Sequence, residues 1–84
     1  MSVDRLRSYV ADHQSEVLDV AGDLLAADTS NPPGRTDEAV TVVEEFLGAV
    51  GVETERFAVD PAKPNLLARV PGAGDRTLLY NGHL

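Results

Sequence analysis

The residue in this sequence best suited to do chemistry is His83, which follows Gly82 directly after a short apolar run. That run, residues 76–81, has the pattern of a β-strand. A strand is a rigid carrier, a glycine lets the backbone approach a ligand closely, and imidazole is a metal donor. His83 is therefore a candidate metal ligand. The alternative from position alone is a solvated histidine near an exposed chain end.

Other ionisable residues are weaker candidates. His13 lies among polar neighbours, which is typical of a solvated helix face. Glu44 and Glu45 could be imagined as a pair of catalytic carboxylates, but adjacent residues of a helix point in different directions. A solvated face is the expected role of these two side chains as well.

The elements that must position His83 begin with helices. Residues 4–27 have apolar residues at three- and four-residue spacings, and a break near His13 would let Ser15 cap a second piece. A rigid loop with two prolines follows at residues 31–34, serving either as the wall of a cleft or as a connector. The second helix is expected over residues 36–50. Six apolar residues at helical spacing would form one face of this helix: Ala39, Val42, Val43, Phe46, Leu47 and Val50.

After Gly51 the pattern changes from helix to strand. Strands are expected over residues 52–59 and 65–70, and the short loop between them predicts antiparallel pairing. The last strand, residues 76–81, then leads to His83. The predicted fold class is α/β, with two helices packed on a short mixed β-sheet.

Composition limits the size and the partners of this protein. Its 84 residues, 43% of them hydrophobic, suffice for one small domain, and there are no cysteines for disulfides or thiolate metal sites. The net charge of −7 disfavours nucleic acid and anionic membrane surfaces as partners. Aspartate and arginine exceed glutamate and lysine, which indicates a halophilic source or a GC-rich codon bias.

No apolar run approaches the roughly 20 residues of a membrane span. The first residues also lack the basic region and apolar core of a signal peptide. A cytoplasmic location is therefore expected.

Several stretches together resemble the opening of one enzyme family. They are the Asn-Pro-Pro-Gly loop at residues 31–34, the Pro-Asn-Leu-Leu-Ala-Arg strand at residues 64–69 and the Leu-Tyr-Asn-Gly-His-Leu stretch at residues 79–84. The sequence resembles the zinc amidohydrolase and peptidase family that includes acetylornithine deacetylase, succinyl-diaminopimelate desuccinylase and aminoacylase. In that family a Gly-His-x-Asp motif supplies a zinc ligand, and Gly82 and His83 match its first two positions.

The resemblance implies a function and a site. Residues 1–84 would form a single partial domain, the leading part of a three-layer α/β/α zinc-peptidase catalytic domain, interrupted within the first metal motif. The implied reaction is hydrolysis of amide or peptide bonds in a small N-acyl amino acid or peptide by zinc-activated water. Two zinc ions are expected in a complete member, with His83 as one ligand. This chain alone is expected to be inactive.

Two further expectations concern the chain on its own. It would associate with itself or with a missing C-terminal portion of such an enzyme, because a partial domain leaves apolar surface open. The alternative function is a non-catalytic acidic protein-interaction module or a gene remnant.

Overall fold

Three helices and two strands follow one another in the computed structural model, which describes residues 2–84. The elements are α1 (Val3–Asp12), α2 (Gln14–Ala26), α3 (Asp37–Ala49), β1 (Thr54–Phe57) and β2 (Asn65–Ala68). The predicted α/β class is confirmed at this level. The prediction of two helices on a mixed sheet is wrong, because three helices accompany a two-stranded antiparallel sheet.

The first helical region divides at His13. The Ser2 hydroxyl accepts a hydrogen bond from the Arg5 backbone N–H at 3.1 Å and so caps the start of α1. The backbone N–H of His13 donates to the Tyr9 carbonyl at 3.1 Å and closes the end of α1. The break therefore lies where the sequence pattern placed it, although Ser15 lies inside α2 rather than at its cap.

Helix α3 is held at its start by the loop between the strands. Thr36 occupies the N-cap position, as predicted, but its side chain makes no capping hydrogen bond to the helix. Its backbone N–H donates to the Ala62 carbonyl at 2.9 Å, and its hydroxyl donates to the Pro64 carbonyl at 3.5 Å. Gly51 follows the helix with a φ of +80°, in the left-handed region that glycine adopts without steric cost. These contacts fix α3 relative to the hairpin.

The core is small and lies on α3. Ala39 and Val40 are each only 1% exposed, and Pro64 in the adjoining loop is also buried. The predicted apolar face is only partly covered, since Phe46 and Val50 are 42% and 62% exposed. The helical pattern is therefore right, but residues 2–84 provide too few neighbours to bury the whole face.

The two strands pair as predicted but are shorter. They are antiparallel, with Glu55 opposite Leu67 and Phe57 opposite Asn65. Helix α3 contacts both strands and also packs against α2. The hairpin is thus attached to the helical part of the fold through one helix.

The strand predicted over residues 76–81 is absent from the structure, where this segment is extended and exposed without pairing. Leu78, Leu79 and Tyr80 are 76%, 77% and 86% exposed. The sequence pattern reports strand propensity, whereas a strand also requires a neighbour for its backbone hydrogen bonds. The segment has no such neighbour among residues 2–84.

An ion pair joins β1 to α3. The Arg56 guanidinium donates to both carboxylate oxygens of Glu44, with Nε to Oε2 at 3.2 Å, and also to the Thr41 hydroxyl at 3.2 Å. The neighbouring carboxylate raises the pKa of Arg56. Glu44 is partly exposed and pairs with Arg56, a contact that the sequence pattern does not indicate, while Glu45 is exposed as expected.

Glu44→Gln is expected to lower the urea midpoint of unfolding, because it removes the negative charge and one of the two acceptor oxygens that bind Arg56 between β1 and α3. Glu45→Gln is the matched control and should leave the midpoint unchanged. Denaturation followed by circular dichroism in low salt and in 1 M salt checks both. The loss should shrink in high salt, because screening weakens exposed ion pairs. Equal midpoints for the two variants would show that the pair does not stabilise the fold.

Candidate functional site

His83 lies in an exposed, extended stretch of the chain. The same stretch contains Gly82 and the apolar residues that precede it, and none of them belongs to a helix or strand. The structure therefore does not place His83 on a strand end, where the sequence pattern put it. Its proposed role as a ligand stays a prediction.

The residues around His83 do not fit a metal centre. Across residues 2–84, no group of three or more histidine, cysteine or acidic side chains is close enough to hold an ion. A catalytic zinc takes about three protein ligands and one open position. We therefore derive no chemical step through zinc.

His13 has a structural role at the junction of α1 and α2. Its ring stacks on Tyr9 with the centroids 3.8 Å apart. Its Nδ1 lies 2.7 Å from the Tyr9 carbonyl oxygen, which can only accept a hydrogen bond. Nδ1 is therefore the protonated nitrogen, and the side chain supports the helix end instead of reaching a ligand.

The loop after α2 lines a polar surface concavity. It has a volume of about 110 Å³ and is lined by Asp28, Ser30, Pro32, Pro33 and Arg35. This places the proline loop beside a small surface concavity. The two interpretations of the loop, as a cleft wall and as a connector, both stay open.

Two carboxylates beside this concavity are held in their charged form. The Ser30 backbone N–H donates to Asp28 Oδ1 at 3.0 Å and lowers the pKa of Asp28. The Arg35 guanidinium donates to Asp37 at 3.1 Å and lowers the pKa of Asp37, while Asp37 in turn raises the pKa of Arg35. Arg35 is thus neutralised by Asp37, a pairing that the sequence analysis did not identify.

These lowered pKa values predict a loss of stability in acid. A carboxyl group with a lower pKa in the folded state stabilises that state above its unfolded pKa, and the stabilisation disappears as the pH falls through the folded pKa. The urea midpoint should therefore fall as the pH drops below about 4, the ordinary pKa of an aspartate. Asp37→Asn should make this fall smaller, whereas Asp23→Asn, an exposed control, should not. Identical pH profiles for the wild type and Asp37→Asn would contradict the prediction.

Two curated proteins align with almost the whole chain. One is the N-formyl-4-amino-5-aminomethyl-2-methylpyrimidine deformylase of Bacillus subtilis, 26% identical over 83 residues. The other bears the same name in Halalkalibacterium halodurans and is 28% identical over 86 residues. The alignments cover 94% and 98% of this chain but only 20% of each relative. The chain thus spans about a fifth of the length of the curated relatives it matches.

Other comparisons gave no match. No family model matches the chain. No solved structure matches it either. None of the helices described in residues 2–84 has the length and apolar character needed to span a membrane.

The relatives correct the family resemblance and the function expected from it. They carry the name of a pyrimidine deformylase, not of the zinc amidohydrolases and peptidases that the motifs resemble. The reason is the low specificity of the motif evidence: only Gly82 and His83 match a site, and a helix, loop and strand order fixes no substrate. The similarity that spans the chain is therefore to formylpyrimidine deformylases.

Proposed function

We propose that this chain supplies one part of a hydrolase that removes the formyl group from an N-formylated aminomethylpyrimidine. The observation that carries the proposal is that two relatives with the same name each align with more than nine tenths of the chain. The fold contributes a small α/β unit with one hairpin attached to a helix. We assign this unit the role of a scaffold within the larger enzyme.

The proposed reaction is hydrolysis of a formamide. Water adds to the formyl carbon, the bond from carbon to nitrogen breaks, the nitrogen takes a proton, and formate and a free amine leave. A group that accepts the proton of water and a group that polarises the carbonyl would both contribute. We propose that these groups come from the four fifths of such an enzyme that this chain does not match.

The test uses a chimera in which residues 1–84 replace the segment of the B. subtilis deformylase that they match. We expect it to release formate from N-formyl-4-amino-5-aminomethyl-2-methylpyrimidine, measured by coupled reduction of NAD. The N-acetyl analogue should react at least about tenfold more slowly, because one extra methyl in a fitted pocket costs about that much. A chimera with a cooperative thermal transition and no formate release overturns the proposal. The same replacement in the H. halodurans relative repeats the test.

A separate proposal is that His83 binds zinc only when further ligands come from outside this chain. A single exposed imidazole gives an ion one donor, so we expect only weak zinc binding by the chain itself. Titration calorimetry should show no saturable site in the wild type or in His83→Ala. Tight binding that disappears in His83→Ala would show that the chain, or an oligomer of it, assembles a metal site.

A further inference from the structure

The chain exposes far more surface than a compact protein of its size. Its accessible surface is 7380 Å², about 2,600 Å² more than the roughly 4,800 Å² expected for a compact monomer of 8.9 kDa. Its radius of gyration is 14.9 Å, against about 12 Å for a compact domain of 84 residues. This excess of accessible surface is similar to the area that each partner buries in an obligate protein–protein interface.

One face of the hairpin is about half exposed. Residues of β1 that alternate with Arg56 point away from it, and Arg56 binds Glu44 of α3. The face opposite α3 therefore carries the polar residues Glu55 and Asn65 together with two apolar side chains, Phe57 and Leu67, which are 54% and 42% exposed. We call these two side chains the open sheet face. Apolar side chains on both faces are typical of a sheet that forms a middle layer.

The free edge of β2 also lacks the usual protection. Strand β1 carries Glu55 and Arg56, whereas β2 is Asn-Leu-Leu-Ala and contains no charged residue. Charged residues at a free edge normally prevent pairing with another strand. The β2 edge is thus the one suited to accept a further strand.

The net charge of this chain and the length of its relatives indicate which partner covers these surfaces. A second copy carries the same net charge of −7, so the two surfaces repel each other. The relatives, by contrast, have about four fifths of their length outside the region that this chain matches. A polypeptide of that length is long enough to cover the excess accessible surface of this chain.

We propose that the open sheet face, the β2 edge and the apolar residues 78–80 pack against polypeptide that corresponds to the unmatched four fifths of these relatives. This partner places a strand on the β2 edge, and it is either joined to this chain or separate from it. The inference rests on the same alignments as the proposed function but does not require the reaction.

Hydrogen exchange with mass spectrometry tests it on the 84-residue chain and on the two chimeras described above. The amides of residues 76–81, and those of β2 that point away from β1, should exchange rapidly in the chain alone. In a chimera they should exchange at least about a hundredfold more slowly, because pairing and burial protect amides. Fast exchange of both segments in chimeras that show a cooperative thermal transition overturns the proposal. Protection of the chain alone at high concentration would instead identify a second copy as the partner.

A matched pair of variants distinguishes a loss of packing at the interface from a general loss of stability. Leu79→Arg should leave the isolated chain unchanged, since its side chain is 77% exposed there, but should lower the melting temperature of the chimera. Asp75→Arg is the control and should change neither. Equal melting temperatures for the two chimera variants count against the proposal. Protection without formate release would retain the interface and reject the deformylase function.

Discussion

Val40→Asp is expected to abolish the cooperative unfolding transition of the isolated chain. Val40 is 1% exposed on α3, and very few side chains share its burial. A carboxylate placed there would lose its hydration without gaining a partner, a cost of several kcal/mol or a strongly raised pKa. A small domain does not have that much stability to lose. Circular dichroism in sodium sulfate, which strengthens apolar burial, should show loss of the helical signal.

Two further variants make this prediction specific. Val40→Ala keeps the site apolar and should cost about 2 kcal/mol, from two lost methyl groups and the cavity left behind. Val17→Asp places the same charge on α2, where the valine is 58% exposed, and should change stability by about 0.5 kcal/mol or less. If Val40→Asp unfolds at the same urea concentration as Val17→Asp, the assigned core is wrong.

Gly51→Ala and Gly48→Ala should change stability in opposite directions. Gly51 has a φ of +80°, so alanine there is strained by about 1–2 kcal/mol even though no atom lies within 4 Å of its added Cβ. Gly48 lies inside α3, where an added Cβ also meets open space, and alanine should stabilise the helix by about 0.5–1 kcal/mol.

The comparison needs only the urea midpoints of three proteins. Each variant adds one methyl group to an open position, so the difference between them isolates backbone conformation from packing. We expect Gly48→Ala to unfold at higher urea than the wild type and Gly51→Ala at lower urea. Matching shifts of the same sign would show that the end of α3 differs from the structure described.

Local signals in the sequence predicted α3 and the hairpin well. Thr36 and Gly51 mark the ends of α3, because a cap and a left-handed glycine act within a few residues. The antiparallel pairing of β1 and β2 follows from the short loop between them. Their signals lie in nearby residues of the sequence, although in the structure Thr36 is also held by the carbonyls of Ala62 and Pro64.

Features that depend on distant contacts were not predictable in this way. The pair of Arg56 and Glu44 requires knowing which face of β1 lies on α3, and twelve residues separate the two side chains. Residues 76–81 have strand propensity, but a strand also needs an adjacent edge. The substrate could not be predicted either, since a motif of two residues at Gly82 and His83 contains no information about a pocket. The halophilic source stays a prediction.

The most direct test of the central claim is to compare formate release by two variants of the B. subtilis chimera, Val40→Asp and Val17→Asp. If the fold of this chain is a working part of a formylpyrimidine deformylase, Val17→Asp should keep the rate of the unaltered chimera within about twofold. Val40→Asp should reduce the rate to the blank, because a core charge costs several kcal/mol of folding free energy. Equal formate release by both variants, or none by the unaltered and folded chimera, would contradict the account.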